Sequence, residues 1–210
     1  MTPGSLVLLH APLGSAAAWG DLPEMVRSYG LDVIAPDVPD AAGARYVARA
    51  SLIIAASYPS VPLVLAGYGA AGPLLPAIAL AQRAAHRKVG GYVFIDAELP
   101  QARRFREHEH DHDHGPGNGH ASGHAHGNGH AHGHAPGPEA AAPPVPVHAD
   151  WPDAPCGYLR THAERTAAPR AGAAAREQAV KEARLRGWPV AEHQPPAAVA
   201  QTLSELIARL

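Results

Sequence analysis

Ten of the fifteen histidines fall between His108 and His134. The segment opens with His108, His110, His112 and His114 alternating with Glu107, Glu109, Asp111 and Asp113. It continues with His120, His124, His126, His130, His132 and His134 among Gly, Ala, Asn and Ser. No Lys or Arg lies between 107 and 134. Imidazole ligates zinc, copper, nickel and cobalt, and a chain of weak ligands can gather around one ion. Alternating His-x-His sets imidazoles on one side of an extended segment, and the carboxylates add attraction and oxygen ligands. The expectation is a metal-binding loop for divalent Ni, Zn, Cu or Co. Without an apolar face, nothing offsets its ordering entropy, so no packed structure is expected there. The competing explanation is a repeat-expanded loop with incidental affinity.

A second stretch, VLAGYGAAGPLL from Val64 to Leu75, carries two patterns. Gly67, Gly69 and Gly72 match G-x-G-x-x-G. In a dinucleotide fold these would make the tight turn, admit the pyrophosphate and allow close helix packing, with Asp96 on the ribose. That motif normally follows the first strand, and here it follows the third. Pro73 and Pro76 also crowd the helix start that would offer N–H groups to phosphate. The same stretch matches G-x-S-x-G with Gly69 in place of the serine.

The elements around these residues form a regular series. SLVLLH (5–10), LDVIAPD (31–37), VPLVLAG (61–67), GGYVFIDAELP (90–100), PCGYLR (155–160) and WPVAEH (188–193) read as strands. Helices are expected at 21–30, with Asp21 and Glu24 at capping-box spacing, at 44–58 and at 71–87. Two more are expected in AAAREQAVKEARLRG, ended by Gly187, and in the closing amphipathic stretch with Val199, Leu203, Leu206, Ile207 and Leu210 on one face. Unbroken apolar strands between helices predict an α/β fold: a mostly parallel six-stranded sheet covered on both faces. The core is assigned to 1–100 and 150–210, with 101–149 as a low-complexity insert rich in His, Gly and Pro.

The ordered series resembles α/β-hydrolase-fold proteins, a small bacterial branch in particular. LVLLHAPLGSAAAWGDLPEMVRSYGLDVIAPDVP is similar to their strand, oxyanion turn, helix and A-P-D strand end. LVLAGYGAAGPLLPAIA resembles their nucleophile elbow, and the 90–100 and 151–160 stretches resemble two later strands. The resemblance covers about 150 of the 210 residues. It implies a crevice at the strand ends with His10, Tyr68, Gly69, Asp96 and His193 as candidate residues. It also implies that 101–149 stands where such proteins commonly insert a lid. A Ser-His-Asp esterase is not expected, because Gly69 has no side chain to form an acyl-enzyme. An oxyanion turn at His10-Ala11-Pro12 can still bind a carbonyl or carboxylate.

Bulk composition narrows the classes further. A net charge of −2 gives no electrostatic case for nucleic acid. The N-terminal apolar run is too short for a signal peptide or membrane span, and the single cysteine, Cys156, allows no internal disulfide. These features point to the cytoplasm. Cys156, Trp151, Trp188 and Tyr158 are expected in packing. The leading expectation is metal handling, with a metal ion and a client protein or small carbonyl or carboxylate ligand as partners. The alternatives are an enzyme using non-serine, metal-dependent chemistry on a small carbonyl substrate, and the dinucleotide-binding protein.

Overall fold

Alternate residues of each strand belong to opposite faces of one sheet, so an unbroken apolar strand buries two layers at once. Val7, Leu9, Leu63, Leu65, Tyr92, Phe94, Cys156 and Tyr158 enter one core layer. Leu6, Leu8, Val64, Ala66, Val93, Ile95 and Leu159 enter the other. The computed structural model describes residues 4–101, 151–166 and 172–210. The expected metal loop, with its ten histidines and most of the 101–149 insert, lies outside the described residues.

The strands are β1 (Ser5–Leu9), β2 (Asp32–Ile34), β3 (Leu63–Tyr68), β4 (Val89–Ile95), β5 (Cys156–Arg160) and β6 (Val190–Glu192). They pair in the order β2-β1-β3-β4-β5-β6, every pair parallel. The helices are α1 (Leu22–Ser28), α2 (Gly43–Ala56), α3 (Leu75–Ala84), α4 (His162–Thr166), α5 (Ala173–Leu185) and α6 (Val199–Ile207). Residues of α1 and α6 join one core layer, and those of α2, α3 and α5 join the other. Right-handed crossovers produce this split: the chain steps from β1 to β2 in one direction, then back past β1 to β3. Gly157 lets α6 lie close to the sheet, since a Cβ there would come within 3.2 Å of both Leu206 and Leu210.

Several element ends depart from expectation for local reasons. The expected helix over 71–87 is a 3₁₀ turn, Gly69–Leu74, followed by α3. Pro73, which has no N–H to donate, sits inside the turn, and Pro76 takes the first turn of α3. Asp21 makes no side-chain capping bond, so the capping box does not form, and Glu24 pairs instead with Arg27. Gly30 and Gly187 do follow their helices in left-handed conformation, at φ 83° and 70°. β4 stops at Ile95 rather than running to 100, because Asp96 turns left-handed at φ 44°. The short helix α4 was not expected.

The aromatic residues assigned to packing do pack. Phe94 stacks on Trp188 with ring centres 5.7 Å apart, and Trp151 meets both rings edge-on. The Tyr158 hydroxyl donates to the Ala97 carbonyl at 2.9 Å. Cys156 is buried and free, and burial pushes its thiol up to about 12, which leaves it unreactive at neutral pH. No helix among the described residues is long and apolar enough to cross a membrane.

Candidate functional site

Parallel register sets the C-terminal strand ends in a row. Leu9 pairs with Gly67, Tyr68 with Ile95, Ile95 with Leu159, and Arg160 with Glu192. His10, Gly69, Asp96, Thr161 and His193 are each the first residue beyond their strand. This row of strand ends includes the point between β1 and β3 where the strand order reverses, at which open α/β sheets hold ligands. A cavity of about 560 Å³ opens there. His10, Tyr68, Asp96 and His193 line it, with apolar walls from Trp19, Leu22, Ile95 and Val199.

Gly69 forms a sharp elbow between β3 and the 3₁₀ turn at φ 56°. A Cβ built on it would approach only the Ala11 methyl, at 3.9 Å, so space for a side chain is open. Its neighbours in the motif are confined. A Cβ on Gly67 would lie 3.0 Å from Leu75, and one on Gly72 would lie 2.4 Å from the Glu98 carbonyl oxygen. Internal packing therefore accounts for Gly67 and Gly72, with no phosphate needed. Tyr68, partly exposed, meets Trp19 edge-on with ring centres 5.8 Å apart.

The two histidines are tied to backbone. The Val38 amide donates to His10 Nε2 at 3.0 Å, so the ring proton sits on Nδ1, which donates to the Ala11 carbonyl at 2.8 Å. The Tyr46 hydroxyl holds the His10 carbonyl at 2.5 Å. At His193 the His162 amide donates to Nδ1 at 3.4 Å, and Nε2 donates to the Ala197 carbonyl at 2.8 Å. Each ring thus has a fixed tautomer and both nitrogens engaged.

Asp96 is held differently. Its Oδ1 accepts from the Thr161 amide at 2.8 Å, and its Oδ2 accepts from the Thr161 hydroxyl at 2.6 Å. Burial raises its carboxyl above the ordinary range, against the lowering effect of the Thr161 bonds. The native chain therefore binds this proton more tightly than the unfolded chain. Stability falls as pH rises from the unfolded carboxyl value through the folded one, and the ionised form is the costly one. Asp96→Asn is expected to raise Tm at pH 7.5, with the gain shrinking to nothing near pH 3.5, as read by thermal unfolding across that range.

Sequence reasoning singled out neither Thr161 nor Trp19. Thr161 follows β5 as Asp96 follows β4, and that shared position was the available signal; Trp19 belongs to no motif. Among the described residues, no three His, Cys, Asp or Glu side chains gather to hold a metal ion.

The strand order, the elbow and the crevice define the class: the chain has the α/β-hydrolase fold. No family model matches the sequence, and no curated protein matches it. Among solved structures it is similar to an extracellular α/β-hydrolase from a Paenibacillus species, itself described as sharing structural and functional homology with tobacco salicylic acid binding protein 2. Identity is 12%, over 99% of this chain and 98% of that one, with a TM-score of 0.57. The lipase BlEst2 of Bacillus licheniformis matches at 19% identity over 46% of this chain and 42% of its own, TM-score 0.37. The pyrethroid hydrolase PytH matches at 17% over 47% and 41%, TM-score 0.38. Against these two, the chain spans about two fifths of their length.

Proposed function

We propose that the protein is a hydrolase-fold binding protein without a serine nucleophile, which takes up divalent transition metal through its His-rich segment. The observation that carries the first half is Gly69. It occupies the elbow at φ 56°, where an acyl-transfer enzyme presents its nucleophile, and offers no side chain. The flanking Tyr68, Ala70 and Ala71 supply no thiol or activated hydroxyl. His10 and His193, two of the histidines that line the crevice, have both ring nitrogens committed to backbone partners. What remains is a mostly apolar crevice suited to a small carbonyl or carboxylate ligand.

The second half rests on the ten histidines from His108 to His134 and their interleaved carboxylates. Such a tract holds imidazole-seeking ions with low selectivity, in the order of general nitrogen-ligand affinity. Nickel, zinc, copper and cobalt all fit. The role is metal handling, in service of a client protein that uses the ion. The tract follows β4 and Asp96 in the chain.

The test is covalent capture. Wild-type protein incubated with a fluorophosphonate should gain no mass, and p-nitrophenyl acetate should show no burst. Gly69→Ser should give the same outcome. The added hydroxyl fits the space, but His10 and His193 have both ring nitrogens engaged by backbone and do not take its proton, and a non-glycine residue at this φ is strained by about 1–3 kcal/mol. A burst of one equivalent in Gly69→Ser would show that His193 does act as a base.

A further inference from the structure

We infer that Asp96, clamped by Thr161 on the floor of the crevice, is a proton-transfer base for small, flat, apolar carbon acids. The inference rests on the nucleophile-free reading, since a crevice without an acyl-enzyme is left with proton transfer and binding. Three observations carry it.

The first is acceptor capacity. An ionised carboxylate offers about four lone-pair sites, and Thr161 uses one on each oxygen. The rings of His10 and His193, which share the cavity, already bond to backbone through both nitrogens. The second is orientation. The Glu164 amide donates to the Thr161 hydroxyl at 3.2 Å, which leaves that hydroxyl's proton directed at Asp96. The Asp96 amide is anchored to the Leu159 carbonyl at 3.0 Å, and its backbone is held at φ 44°, a strained conformation of the kind that collects at working sites. The third is surroundings. Trp19, Leu22, Ile95 and Val199 make the walls apolar, so a carboxylate here is a stronger base than in water.

The charged and titratable neighbours do not cancel this. Tyr158 of β5 is buried and neutral. Glu164 of α4 raises the Asp96 carboxyl and Arg176 of α5 lowers it, and those two pair with each other at 2.6 Å. His162 of α4, with His10 and His193, shares the cavity. Arg160, Arg165 and Glu177 share with Asp96 the smaller cavity on its far side. Arg160 is paired with Glu177, and Arg165 with Glu192.

The general step breaks a C–H bond. The proton passes to the Asp96 carboxylate, the C–H electron pair forms a new π bond, and the leaving atom departs with its own pair. The probe 5-nitro-1,2-benzisoxazole reports this without any co-reactant. Its C3 proton goes to the carboxylate, the nitrile forms, the N–O bond breaks, and the electron pair ends on a coloured phenolate. Asp96 then returns the proton to solvent.

The full chain should convert this probe at least about 100-fold faster than an equal concentration of acetate, within the usual range for a positioned base. The rate should rise with pH through one ionisation and then level. Asp96→Asn, which keeps the shape, should lose at least about ten-fold. Thr161→Val should lower kcat and move the pH midpoint, with KM little changed. Circular dichroism verifies that both variants fold. Wild-type turnover no faster than acetate, or an Asp96→Asn variant as fast as wild type, overturns the base role. An unaltered pH profile in Thr161→Val overturns the clamp. A fluorophosphonate adduct on wild type would instead refute the nucleophile-free reading, whereas slow turnover without an adduct refutes the base role alone.

Discussion

Removing residues 107–134 is expected to take bound transition metal from about two or three ions per chain to near zero. Each ion needs three or four ligands, and ten imidazoles supply that many sets. No comparable cluster exists among the described residues of the core. The loss should not come from unfolding. β4 and β5 are parallel neighbours, so the connection must return from Ile95, at the C-terminal end of β4, to Cys156 at the start of β5, which pairs with Tyr92. The residual connection through 102–106 and 135–150 still spans tens of ångströms when extended, more than the roughly 10 Å it must return along the strands plus one strand spacing. Shortening the connection changes closure entropy by less than about 1 kcal/mol, so Tm of the metal-free protein should shift by no more than a few degrees. In the full chain the metal should also be released on dialysis below about pH 6, where protons compete for imidazole. Elemental analysis of both chains at pH 7.5 and pH 5.5 reads all of this. Equal metal in the two chains would remove the tract from the account.

A marked loss of stability is expected from adding one methyl group to the core. Gly72→Ala should destabilise the fold by about 1–3 kcal/mol, the range for overpacking a well-packed site. The new Cβ would stand 2.4 Å from the Glu98 carbonyl oxygen, 2.8 Å from the Ala97 Cβ and 3.3 Å from the Phe94 ring. Two of these atoms belong to the chain just beyond Asp96 and cannot rotate away. Relief must come from moving either the elbow or the 97–98 segment, which adjoin the crevice residues Tyr68 and Asp96 in the chain. Denaturant unfolding should show a lower midpoint at unchanged slope. Gly20 offers the control: a Cβ there meets nothing within 4 Å, although its φ of 51° adds strain of its own. An unperturbed Gly72→Ala midpoint would mean that the close approach of Glu98 is not a feature of the folded protein.

Much of the fold was legible because parallel strands buried on both faces leave continuous apolar runs, and SLVLL, LVLAGY and VGGYVFI are such runs. The edge strands β2 and β6 are three residues each, shorter than expected, because half their surroundings are solvent. Pro73 marked the break that splits the expected 71–87 helix, but the 3₁₀ turn it sits in follows from hydrogen bonding rather than pattern. The site was legible as positions, since first residues beyond strands line the crevice of such sheets. It was not legible as chemistry. His10 looks like a free base until the Val38 amide, from a loop 28 residues away, takes its Nε2. His193 likewise loses its Nε2 to Ala197, in the turn before α6. The Thr161 clamp on Asp96 joins residues 65 apart in the chain, and no local pattern encodes it.

A single native mass spectrum reaches both halves of the account. Full-length protein is incubated with excess zinc and a fluorophosphonate, exchanged into volatile buffer at pH 7.5, and weighed intact. The expected spectrum shows about two or three zinc ions per chain and no phosphonyl mass. A chain that carries one phosphonyl group, or that carries no zinc, would contradict a nucleophile-free hydrolase fold that holds metal through its histidines.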